Sequence, residues 1–244
     1  MAPRAVIVGA TSAVGEALAS SYAASGWRLT LVARDAGALG SVASDTRLRH
    51  GVPVEELLFD AAVPTTAEAA GRRCLEGGVP DVIVYVAGAN ADGDAACHPS
   101  EIERLAAVNF LSAATFLAPL LPALESSRSA ALALIGSVAG DRGRKRNFVY
   151  GSVKAALATY AQGLRARLHP GVTVITVKLG YVDSRMSWGL APPALTVRPA
   201  WAAHRIRRAI ERRRNVVYIP GFWRLVMTVV RAIPEGIFKR LPIP

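Results

Sequence analysis

At 244 residues and 52% hydrophobic content, the chain suits one large α/β domain with a buried core, and a separate second domain is not expected. Two cysteines, Cys74 and Cys97, and four scattered histidines, His50, His98, His169 and His204, form neither a disulfide framework nor a metal-ligand cluster, so a reducing compartment and no metal site are expected. The formal charge of +11 is lopsided: residues 196–244 carry eleven Arg/Lys against Glu211 and Glu235, which suits nucleic acid, anionic lipid or another protein without choosing among them.

Arg4 and the apolar residues 5–8 run into a glycine turn at Gly9 instead of a signal-peptide core, which points to a cytoplasmic protein. No uninterrupted run of about 18 apolar residues marks a spanning helix. Strands are expected near residues 5–8, 29–32, 56–59, 82–86, 131–135 and 172–177, with helical patterns between them. Strands so poor in polar residues need cover on both faces. The alternation therefore predicts a doubly wound, Rossmann-type parallel sheet, with a helix over 199–213 leading to a seventh strand at Val216–Ile219. The organisation expected is one catalytic domain over 1–219 and an apolar, basic tail over 220–244. Gly/Pro clusters mark loops, and Ala191-Pro192-Pro193 after the sixth strand suits a mobile substrate lid.

The first strand opens into Gly9-Ala10-Thr11-Ser12-Ala13-Val14-Gly15 and then a helix beginning at Glu16. Small residues let backbone approach a pyrophosphate, and the helix N-terminus offers free N–H groups to it. A tight turn of no further purpose would carry the same glycines. The second strand ends at Arg34-Asp35. A guanidinium there grips the 2′-phosphate of NADP(H), whereas Asp35 keeps the ribose hydroxyls of NAD(H) in play.

Tyr150 and Lys154, four apart, share a helix face. A phenol with an ordinary pKa of about 10 is a poor proton carrier near neutrality, and a nearby ammonium lowers that value. Ser137 lies thirteen residues earlier, just after the fifth strand. With Asn109 these residues resemble, in order, the catalytic set of the classical short-chain dehydrogenases/reductases. The glycine turn resembles the family's Gly-x-x-x-Gly-x-Gly with Ala13 in the middle position. Asp60 resembles its adenine-contacting Asp, with Ala61 beside it. Ala87-Gly88 resembles the end of its Asn-Asn-Ala-Gly, with Tyr85-Val86 replacing the paired asparagines, and Leu179-Gly180 replaces its Pro-Gly. The resemblance spans residues 5–184. It implies hydride transfer between NADP(H) and an alcohol or ketone, with Ser137 polarising the carbonyl, Tyr150 passing the proton, Lys154 tuning Tyr150 and holding the nicotinamide ribose, and Asn109 anchoring a water relay. It further implies cofactor contacts from Gly9, Thr11, Ser12, Ala13, Val14, Gly15, Arg34, Asp60, Ala61, Ala87, Gly88, Gly180, Val182 and Ser184, and dimers or tetramers through the helices bearing Asn109 and Tyr150.

Between Ser137 and Tyr150 lie Arg142, Arg144, Lys145 and Arg146, a basic loop suited either to an anionic substrate group or to solvent. In the tail, Arg224, Thr228 and Arg231 form a narrow polar stripe beside a wide apolar helix face ended by Pro234. Such a helix suits an anionic membrane surface, and equally the core or an oligomer interface. Residues 137–142 and 147–152, with the tail from Val217 to Leu241, resemble the decaprenylphosphoryl-2-keto-ribose reductases, which implies a keto-sugar on a polyprenyl phosphate and a flavin-dependent oxidase as partner enzyme. The competing substrate is a 3-keto lipid or 3-oxoacyl group. The apolar residues woven through the tail argue against nucleic acid.

Overall fold

Strand β1 (Arg4–Val8) is buried at every residue, as expected of a central strand covered on both faces. The computed structural model describes residues 2–91, 93–189 and 192–241. From β1 the chain alternates through α1 (Ala13–Ala23), β2 (Arg28–Ala33), α2 (Ala36–His50), β3 (Val54–Leu58), α3 (Pro64–Arg73) and β4 (Val82–Tyr85). A long helical run follows, comprising α4 (Pro99–Ala106), a π turn (Ala107–Leu111), α5 (Ser112–Leu117) and α6 (Leu121–Glu125). Beyond it come β5 (Ala131–Ser137), α7 (Phe148–Arg167), β6 (Thr173–Leu179), β7 (Tyr181–Val182), β8 (Thr196–Val197), α8 (Pro199–Glu211), β9 (Val216–Ile219), α9 (Trp223–Ala232) and α10 (Glu235–Phe238).

Seven parallel strands form one sheet in the order β3-β2-β1-β4-β5-β6-β9, and β7 pairs with β8 in a small second ladder. The order reverses between β1 and β4, so their C-terminal ends open a crevice where doubly wound folds bind ligands. One apolar layer packs α1, α2 and α8 on the sheet through Leu18, Leu39 and Ile206. The other packs α3, α5 and α7 through Ala67, Phe116 and Leu157. The run Pro99–Glu125 is long and apolar enough to cross a membrane by length and composition. Its inner side chains Phe116, Leu117, Leu120 and Leu124 nevertheless belong to this second layer.

Several expectations shift in detail. The third strand begins at Val54, two residues early, because its exposed Glu55 and Glu56 hide the strand from a search for apolar runs. Helix α1 begins at Ala13, where Ser12 caps it, and α8 ends at Glu211, before the left-handed Arg213. The β7–β8 ladder carries too few residues to leave a periodic signal. The tail is packed against the domain instead of projecting from it: Met227 and Phe238 are buried, and α9 is a single helix with Trp223, Met227 and Val230 turned inward.

Candidate active site

The cofactor end is built by steric exclusion. Gly9 adopts φ +88°, and a side chain there would bring its Cβ to 2.7 Å from the amide nitrogen of Ala87, so the β1 and β4 loops touch backbone to backbone. Ser12 accepts from the Gly15 amide at 3.1 Å and donates to the Gly9 carbonyl at 2.7 Å. Its hydroxyl is thus engaged in capping, which leaves the backbone amides of Ala13 and Val14 as the helix-end donors without an intrahelical acceptor. The Val14 side chain is buried in the core. Thr11 sits half-buried at the same turn.

At the end of β2, Asp35 caps α2, its Oδ1 accepting from the Ala38 amide at 2.9 Å. One oxygen of the carboxylate needed for a ribose diol is therefore held by the helix, while Arg34 beside it is exposed. Asp60 closes a turn after β3, its Oδ1 accepting from Ala62 at 2.9 Å, with Ala61 half-buried at the rim. Val182 packs into the core through its side chain, and its carbonyl accepts from Ser187. Ser184 and Ser187 join hydroxyls at 3.2 Å.

The chemistry end is assembled from four elements. Ser137 closes β5, and its Oγ accepts from the Ala139 amide at 3.1 Å, leaving the hydroxyl hydrogen to donate outward. Tyr150 stands in the first turn of α7 and lines the same pocket as Ser137. Lys154, one turn on, is buried; its Nζ donates to the Ile135 carbonyl at 3.2 Å and lies 5.7 Å from the Tyr150 ring centre. Burial pushes its pKa down to about 8. Asn109 is fully buried in the π turn, a distortion that frees helix carbonyls. Its Nδ2 donates to Leu105 at 3.0 Å and to Ala89 at 2.9 Å, and its Oδ1 accepts from the Ala89 amide at 3.1 Å. Both amide hydrogens are spent on the fold, so any relay role falls to oxygen. Gly88 packs beside both groups: a Cβ there would lie 3.1 Å from Asn109 Oδ1 and 3.1 Å from Lys154 Nζ.

Two contributors escape sequence reasoning. Tyr85 is buried and donates to Ser112 Oγ at 2.7 Å, and Ser112 donates to the Val108 carbonyl at 3.0 Å, bracing the π turn from the sheet side. The signal was present only as a departure from the family's paired asparagines. Trp223, from the tail, lines the pocket together with Asn90, Met186 and Ser187. Ala191, in the expected lid, lies outside the described residues.

The basic loop divides. Arg144 and Arg146 line the pocket, whereas Arg142 turns away to hold the tail. It donates to the carbonyls of Arg231 at 3.0 Å and Ile233 at 2.9 Å, pairs with Glu235 at 2.7 Å and lies 4.2 Å from the Phe238 ring centre. The side chain of the adjacent Asp141 is buried and bonded to Lys178 and, at 2.8 Å, to the Tyr218 hydroxyl.

The short chain dehydrogenase family model matches residues 3–193. The chain belongs to this family. Among its members, an uncharacterized oxidoreductase of Streptomyces coelicolor is 34% identical, with 99% of this chain and 97% of that protein covered. An uncharacterized oxidoreductase of Mycobacterium tuberculosis is 32% identical over 97% and 96%. A short-chain dehydrogenase from Sphingobium yanoikuyae, solved in complex with NADPH, superposes with a TM-score of 0.82 at 27% identity, covering 98% of this chain and 96% of that one. Family membership makes the chain an oxidoreductase.

Proposed function

We propose that the protein is an NADPH-dependent reductase that turns a ketone into a secondary alcohol. The observation that carries this is the pocket shared by Ser137 and Tyr150, with Lys154 and Asn109 packed directly behind it. NADPH fits the crevice: the Gly9 turn offers backbone donors, Arg34 is exposed to meet a 2′-phosphate, and the Asp35 carboxylate is partly committed to its helix. The NADPH complex of the Sphingobium yanoikuyae relative supports the same preference. When bound, the nicotinamide supplies the hydride. Ser137 donates a hydrogen bond to the substrate oxygen, Tyr150 hands it a proton, and the Lys154 ammonium makes the phenol a readier donor and acceptor at neutral pH. The direct test is NADPH oxidation with a ketone panel. Tyr150→Phe is expected to lower turnover at least roughly 1000-fold while NADPH still binds, and unchanged turnover overturns the reading.

For the substrate, the reading is an amphiphile with an anionic group near the reacting carbon, such as a keto-pentose on a polyprenyl phosphate. Arg144 and Arg146 stand at the pocket, which has a volume of about 100 Å³, less than the ~300–1,000 Å³ usual for ligand sites, so it admits a compact reacting end and not a lipid chain. Leu225, Val229 and Ile237 are more than half exposed on the tail and flanked by Arg224, Lys239 and Arg240, a surface suited to an anionic bilayer. The protein would then act peripherally on the inner face of the cell membrane, downstream of a flavin-dependent oxidase. Turnover of a polyprenyl-phosphate keto-pentose is expected to exceed that of 3-oxoacyl substrates, and the opposite order favours the 3-keto lipid. Flotation with anionic liposomes, set against a DNA mobility shift, tests the tail. A homodimer or homotetramer through the outer faces of α4–α6 and α7 is the assembly proposed, where Ile102, Leu111 and Phe148 are exposed.

A further inference from the structure

Helix α9 delivers Trp223 into the reaction pocket. Its indole lies against Gly180 through the pyrrole side, where a Cβ would meet Nε1 first and then Cδ1 at 2.6 Å and Cε2 at 2.8 Å, so residue 180 must lack a side chain for the ring to enter. The rings of Tyr181 and Phe222, with centroids at 6.0 and 5.2 Å, hold its orientation. Arg142 fixes the far end of the same helix through the carbonyls of Arg231 and Ile233. A side chain so firmly placed is not incidental filling.

Its Nε1 is buried and has no hydrogen-bond partner among the described residues. Oδ1 of Asn90, after β4, and Oδ1 of Asn147, before α7, are in the same state and line the same pocket, into which Arg144 also reaches. Three elements far apart in sequence thus bring one donor and two acceptors, all unpaired, beside Ser137 and Tyr150. A buried polar group left unpaired is costly, and the loss is recovered only when a ligand supplies the missing partner. The pattern selects among ligand chemistries. Phosphate and thioester oxygens only accept, and an alkyl chain does neither. A hydroxyl accepts from Trp223 and donates to an asparagine oxygen at once.

We propose that Trp223, with Asn90 and Asn147, reads hydroxyl groups on the carbons flanking the reacting carbonyl, which makes the substrate class a polyhydroxylated ketone and Trp223 its specificity-determining residue. This rests on the reductase reading above. A site built to bond a hydroxyl rejects the analogue lacking it far more strongly than an apolar pocket rejects one that carries it.

The test uses the full chain with NADPH and two ketones of one carbon skeleton, xylulose and 2-pentanone. The wild type is expected to favour xylulose at least 100-fold in kcat/KM. Trp223→Phe, which keeps the ring and removes the donor, is expected to reduce that preference at least tenfold, chiefly by raising KM for xylulose. Calorimetric titration of NADPH-loaded Tyr150→Phe with xylitol reads the same contacts without turnover, and adding Trp223→Phe should weaken binding at least tenfold. Equal losses on both ketones, a wild-type preference for 2-pentanone, or xylitol affinity indifferent to Trp223 would each overturn the proposal. Turnover that survives Tyr150→Phe would overturn the reductase reading instead, since it bears on the proton donor and not on the hydroxyl contacts.

Discussion

The ammonium of Lys154 donates to the carbonyl of Ile135 at 3.2 Å, two residues before Ser137 on the same strand. The side chain proposed to tune the Tyr150 phenol is therefore anchored to the strand that carries Ser137. Because it is buried without a carboxylate partner among the described residues, its pKa falls to about 8.

That value sets a pH dependence. Below about pH 8 Lys154 is charged, and above it the charge proposed to ease proton transfer from Tyr150 is lost. The kcat/KM for NADPH, which reports the free enzyme, is expected to fall by about one log unit per pH unit above that point. Stability runs the other way. The folded pKa lies below the unfolded value near 10.5, so the unfolded chain binds more protons between about 8 and 10.5 and folding strengthens across that window. Lys154→Met should be more stable than wild type at pH 7, and the gap should narrow as pH rises through the window. Denaturant unfolding of both proteins from pH 7 to 10 measures it, and a constant gap contradicts the assignment.

Arg34 is the test of cofactor choice. Charge-assisted bonds to a phosphate contribute about 1.5–3 kcal/mol, so Arg34→Ala is expected to raise KM for NADPH roughly 10- to 100-fold and to affect NADH far less. Steady-state kinetics with both cofactors decide it. Equal effects on the two would assign Arg34 to the surface.

Tyr85 braces the π turn through Ser112, so Tyr85→Phe removes a buried donor and leaves the Ser112 oxygen one partner short. The expected loss is about 1–2 kcal/mol of unfolding free energy with a several-fold drop in kcat. Asn109→Ala strips three hydrogen bonds from the same turn and should cost more on both counts. Urea unfolding with parallel rate measurements ranks the two variants, and the reverse ranking would remove Asn109 from its bracing role.

Asp141 and Lys178 form a pair in which the carboxylate is 2% exposed and the lysine 15%. Breaking such a pair from one side leaves a buried charge uncompensated, so Asp141→Ala should destabilise by about 3–5 kcal/mol. The adjacent Arg142 would lose its footing, and amide exchange in α9 should quicken with it. A loss under 1 kcal/mol by chemical denaturation would mean that water reaches Lys178 in place of the carboxylate.

The doubly wound sheet was legible because parallel strands covered on both faces write uninterrupted apolar runs, and β1, β2, β4, β5 and β6 do so. The pairing of Tyr150 with Lys154 was legible because i, i+4 spacing on a helix is a local fact, and Ser137 joined them through the resemblance to the family. What sequence determined about this protein is its chemistry. What only the tertiary structure decided is where the long-range partners go. Arg142 looks identical to Arg144 and Arg146 along the chain, yet it reaches some ninety residues ahead to Glu235, while the other two line the pocket. Trp223 reads as one apolar residue on an amphipathic helix, and no periodicity says that its indole will rest on Gly180. Such contacts depend on the register between elements that meet only after the sheet has closed, and that register is set by packing, not by any pattern within one segment.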